Sequence, residues 1–134
     1  MIMNDGIIPH MTYERFNQSL RPKVEGTKFL DEIFNKPTLD FFVVFSSLAY
    51  VTGNLGQSPY AAANAFMVSI VEGRRARGLA GSILNLAGIS GLGYISRTDL
   101  GILDRLAKLG YSNMSEWDFL QFFAESVLAG KPGS

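Results

Sequence analysis

The chain has 134 residues, 47% of them apolar and 18% charged, with twelve basic side chains balanced by twelve acidic ones, no cysteine and one histidine. This is material for one domain with a core, too little for two, and too apolar for a disordered tail. Balanced charge without a basic stripe excludes the footprint of nucleic-acid binding; absent cysteines exclude disulfides and thiolate chemistry, and His10 alone cannot make a zinc site.

Thr12 can cap a helix, and Phe16, Leu20, Val24, Thr27, Leu30 and Phe34 recur after it at helical spacing. Pro22 falls inside that pattern and is expected to kink or divide it, and Asn35-Lys36-Pro37 ends it. Residues 39–45 are apolar, β-branched and aromatic without alternation, the pattern of a strand buried on both faces of a parallel sheet. A loop with Gly53, Asn54 and Gly56 follows. Ser58 then offers a capping hydroxyl and Pro59 a first-turn proline for a helix over about 60–77, which Gly78 stops. A second strand is expected over 82–86, and Gly88, Gly91 and Gly93 make the next connection loop-like. Helices are predicted over roughly 98–109 and 115–128, the second opened by Ser115 and Asp118 at capping-box spacing, and the tail from Gly130 is expected to fray. The order is α/β, but two strands make a thin sheet with exposed edges, so the chain reads as part of a domain. Its opening residues lack the pattern of a signal peptide, and runs such as 41–45 are too short to span a bilayer. A soluble, cytoplasmic setting with no membrane partner is therefore expected.

Ser47 closes the first strand thirteen residues before Tyr60, and Tyr60 and Asn64 lie one helical turn apart on one face. Ligands of doubly wound sheets bind at the carboxyl ends of strands, where Ser47 would sit. Carbonyl reduction needs one hydroxyl to hold the substrate oxygen and another to protonate it as hydride arrives, and Ser47 and Tyr60 can supply both. Singly, each has an ordinary reading: serines are common after strands, and a helical tyrosine usually packs.

Taken together, residues 41–78 resemble the ketoreductase domain of type I polyketide synthases, a branch of the short-chain dehydrogenase/reductase superfamily. The resemblance extends over nearly the whole chain. In Arg21-Pro22-Lys23-Val24-Glu25-Gly26, Lys23 stands twenty-four residues before Ser47, the family's motif and spacing. Ordinary short-chain dehydrogenases place a lysine four residues after the tyrosine; here that position is Asn64, the exchange that marks the polyketide branch. Asn4-Asp5-Gly6 looks like the family's Leu-Asp-Asp-Gly segment, with Asp5 on the second aspartate, which in bacterial modular synthases accompanies one stereochemical class of alcohol. The stretch from Gly91-Leu-Gly-Tyr94 to Ser115-Glu116 and Phe119 resembles the highly reducing, fungal-type iterative synthases.

The resemblance implies a partial Rossmann-like, doubly wound parallel sheet truncated at both ends. Residues 1–134 would be the catalytic half of a single, partial ketoreductase domain from which the N-terminal nucleotide-binding half is absent. It implies Tyr60 as proton donor, Ser47 as the group orienting the β-keto oxygen, Lys23 as the cation favouring tyrosinate, and Asn64 as the support of Lys23 and of proton relay. Lys23, Tyr60 and Asn64 would also touch the cofactor, NADPH. The substrate would be a β-ketoacyl thioester on an acyl carrier protein, and the partner the rest of the synthase. Gly88-Ile89-Ser90-Gly91-Leu92-Gly93 is GxxGxG, not the GxGxxG of a pyrophosphate loop, and no GxGxxG occurs in the sequence. The isolated chain is therefore expected neither to bind NADPH tightly nor to turn over. The alternative is an inactive, truncated ketoreductase-like protein that serves as a binding or structural module. Arg74, Arg75 and Arg77 are read as a solvated helix end favoured by the helix dipole, Asp5 as a turn residue, and Trp117, Phe119, Phe122 and Phe123 as packing or inter-domain surface.

Overall fold

The computed structural model describes residues 5–89, 110 and 113–132. After a single 3-10 turn at Ile8–His10, Thr12 accepts a hydrogen bond from the Arg15 backbone and opens α1, Tyr13–Ile33. Pro22 lies inside α1 without dividing it. The expected division fails because packing of α1 on the next long helix offsets the one backbone bond that Pro22 cannot make.

Strand β1 runs Val43–Ser47 and is followed by a one-turn helix, α2, at Ala49–Thr52. Helix α3 spans Ser58–Ala76, and β2 spans Ser82–Leu86. The two strands are parallel, with Val43 opposite Ser82 and Ser47 opposite Leu86, so β1, α3 and β2 form one βαβ unit. Helix α4, Glu116–Ala129, carries the expected capping box between Ser115 and Asp118. The helix expected over 98–109 lies outside the described residues, as do Gly91 and Gly93.

Alternation along β1 sorts the layers. Ser46 meets Asn64 of α3 on one face of the sheet, while the ring of Phe45 lies 6.0 Å from that of Phe119 and 5.9 Å from that of Phe123 of α4 on the other. Helix α1 packs along α3. Among the described residues the apolar core consists of Ala49 of α2, Ala63, Met67 and Val71 of α3, and Leu79, Ala80 and Leu84 after its end. At the C-terminus of α3, Gly78 takes φ +72°, and Leu79 and Gly78 donate to the carbonyls of Arg74 and Arg75, the paired bonds of a Schellman cap.

Four further sequence expectations are corrected. The first strand starts later and ends later than 39–45, because pairing with β2 runs on through Ser46 and Ser47, whose side chains carry no hydrophobic signal. Ser58 does not cap α3; the N-cap is Gln57. Gly130 does not fray, since it is buried and its carbonyl accepts from the Gly81 amide at 2.9 Å. Arg74 is not solvated at all but fully buried. Its Nε donates to the Ala80 carbonyl at 2.8 Å, and its two terminal nitrogens donate to Asp31 at 2.8 Å and to the Phe34 carbonyl at 3.2 Å. The guanidinium also stacks 3.9 Å from the centre of the Phe42 ring.

Candidate active site

The site forms where α1 lies beside the first turns of α3 at the carboxyl end of β1. Lys23 on α1 donates from Nζ to Asn64 Oδ1 at 3.0 Å, a contact between residues 41 apart in sequence. The Asn64 amide is oriented from its other end as well, because Nδ2 donates to the Tyr60 carbonyl at 2.7 Å. Asn64 is fully buried, so an orientation that satisfies both ends of its amide is strongly preferred. Lys23 Nζ also lies 5.4 Å from the centre of the Tyr60 ring. Ser47 sits at the end of β1, where its Oγ accepts from the Ala49 amide at 3.2 Å and so keeps its own hydrogen to donate. The structure thus joins Lys23, Asn64 and Tyr60 directly and places Ser47 as the last residue of β1.

Burial removes water from the Lys23 ammonium and holds its pKa below the ordinary lysine value of 10.5. Lys23 also faces an open groove of about 510 Å³ between α1 and β1, shared with Thr27, Leu30, Phe42, Val44 and Met67.

Two contributors escaped the sequence reading. Ser46 is buried, and its hydroxyl lies 3.4 Å from Asn64 Oδ1 and 3.5 Å from the Asn64 carbonyl. Strand alternation was the available signal for a Ser46 side chain turned towards α3. Gln57 donates to the Asp5 carboxylate at 2.8 Å and accepts from Asn54, which ties the N-terminal segment over the loop before Tyr60. Gly6 reinforces that tie through its amide, 2.8 Å from the Gly56 carbonyl. A contact spanning 52 residues leaves no local trace in sequence. Asp5, expected as a turn residue, lies in no turn and instead bridges to Gln57 and Arg15.

The family model of the KR domain matches residues 1–91, more than half the chain. The chain belongs to the KR domain family. It is 67% identical over 134 residues to the hybrid PKS-NRPS synthetase buaA of Petromyces alliaceus, covering all of this chain and 3% of that protein. It is 48% identical over 129 residues to the highly reducing polyketide synthase milA of Cordyceps militaris, covering 96% of this chain and 5% of that one. Among solved structures, a ketoreductase domain from the bacillaene assembly line superposes with a TM-score of 0.84 at 32% identity, covering 96% of this chain and 32% of that chain. A-type ketoreductases from a modular polyketide synthase give 0.87 at 30% identity, covering 98% and 27%. The fold is accordingly the Rossmann-like fold of the ketoreductases, and the 134 residues span about a third or less of those structures and a few per cent of the curated relatives.

Proposed function

We propose that this KR segment supplies the proton-transfer side of β-ketoacyl reduction in polyketide assembly, turning a β-ketoacyl thioester on an acyl carrier protein into a β-hydroxyacyl thioester. The observation that carries the reading is the Lys23–Asn64 hydrogen bond beside the Tyr60 ring, formed between α1 and α3 at the end of β1. NADPH, when bound, supplies the hydride that adds to the carbonyl carbon.

The chain's own residues account for the oxygen. The Ser47 hydroxyl donates to the substrate carbonyl and fixes its direction. Tyr60 gives its phenolic proton to that oxygen as negative charge builds on it. An ammonium partly stripped of water attracts the emerging phenolate more strongly than a solvated one, so Lys23 favours the transfer. Asn64 holds Lys23 against Tyr60 and provides the next polar group for returning the proton. These side chains fit the reacting end of the cofactor. For its pyrophosphate the chain offers no glycine-rich turn of GxGxxG form, and no step is assigned to that end.

The test is Tyr60→Phe in a complete ketoreductase domain carrying this segment. A lost proton donor lowers turnover by about 10²–10⁴-fold. Turnover that survives the substitution assigns the proton to another group and overturns the reading.

A further inference from the structure

Two polar contacts lie apart along the seam between α1 and α3, and one of them touches the candidate chemistry. At one end Lys23 meets Asn64. At the other, Asp31 accepts from Arg74 at 2.8 Å and from Arg77 through both carboxylate oxygens, at 2.7 and 2.9 Å. Lys23 and Asp31 are eight residues apart and Asn64 and Arg74 ten, about 12 and 15 Å along their helices. Both contacts therefore close only with the helices parallel and in one register, the long arginine side chain taking up the difference.

Between the contacts the seam is smooth. Thr27 is buried on α1, and Met67 and Val71 are buried on α3. A side chain added at Gly26 would meet nothing within 4 Å, so no steric lock stands there. Apolar contact of this kind is non-directional and changes little when one helix slides by a turn. That slide is about 5.4 Å and would carry the Lys23 ammonium out of reach of Asn64. Arg74 is the opposite case. Its guanidinium has no exposed surface, and its acceptors lie on three separate segments: Asp31, the Phe34 carbonyl and the Ala80 carbonyl. Displacing α1 would leave a buried cation without its counter-charge, among the costliest local errors a fold can make.

We infer that Asp31 and Arg74, with Arg77, are positioning residues that register α1 against α3 and thereby hold Lys23 on Asn64. The inference rests on the ketoreductase reading for what Lys23 does, but not for where Lys23 is placed.

The experiment is nuclear magnetic resonance of the 134-residue chain labelled on lysine and asparagine, with Lys23→Met to identify the Lys23 signal. The main variant combines Asp31→Leu with Arg74→Met, an apolar pair of similar bulk that buried ion pairs commonly accept without unfolding. With native circular dichroism retained, the Lys23 titration midpoint should rise towards the ordinary lysine value of 10.5 as the ammonium regains water. The Asn64 side-chain amide should exchange faster with solvent. A folded double variant with both signals unchanged overturns the inference. If the double variant loses its helix, Asp31→Glu decides: it keeps the charge and adds one methylene, so it should move the Lys23 midpoint part of the way, and an unmoved midpoint in that folded variant is equally fatal. None of these readings depends on turnover, so a failure of the Tyr60→Phe test would leave this result intact.

Discussion

Lys23 carries opposite instructions from stability and from chemistry. Burial penalises its ammonium, and the folded pKa lies below 10.5 for that reason. The folded state thus binds the proton less tightly than the unfolded chain. The cost is present in full below the folded pKa and fades as the pH rises through it towards 10.5. Lys23→Met removes the buried charge and keeps most of the packing, while Ser46 still faces Asn64 Oδ1. At pH 7 the variant should melt at the same temperature as the parent chain or above it, and the parent should gain on it as the solution is made alkaline. A clear drop in melting temperature at pH 7 would mean that the contact with Asn64 outweighs the burial. Sites that trade stability for function behave in the first way.

At the scale of elements, the sequence was legible wherever a residue type reports its own local geometry. Thr12, Ser115 with Asp118, and Gly78 mark helix ends by chemistry that acts within three or four residues, and all three appear as read. Tyr60, Asn64 and Lys23 were legible only as a spaced set. Arg74 was misread because its burial depends on Asp31, Phe34 and Ala80 arriving together, and no window around residue 74 contains Asp31. Gly130 was misread for the same reason. A β-carbon built there would stand 2.8 Å from Ser82 Cβ and Oγ and 3.1 Å from the Gly81 carbonyl carbon, so the end of α4 and the start of β2 require glycine at their contact. Gly130→Ala should destabilise the chain by about 1–3 kcal/mol, the usual range for overpacking, measured by urea unfolding. An unchanged urea midpoint would show that α4 can lift from β2 without cost.

For the molecule as a whole, charge and cofactor make separate predictions. Burial pushes the Asp31 carboxyl pKa up, but hydrogen bonds and charge from Arg77 and Arg74 outweigh that, and the folded pKa lies below the ordinary 3.8. Its stabilising contribution is complete above 3.8 and is lost as the pH falls through the lower folded value. Asp31→Asn should therefore be less stable than the parent near neutrality, with the gap closing in acid, as followed by thermal melts across pH. Calorimetric titration of the folded 134-residue chain with NADPH should give no tight binding, because no GxGxxG turn is present; micromolar affinity would reveal a cofactor site of another kind.

The Arg74 cluster also bears on the order in which the molecule assembles. Arg74 lies on α3, and its contacts come from α1 and its end at Phe34, from the approach to β1 at Phe42 and from the approach to β2 at Ala80. Until all four are in place, a guanidinium must stay in water, and the helices cannot close around it. Partly docked arrangements, in which the guanidinium is dry but lacks its acceptors, are thereby disfavoured.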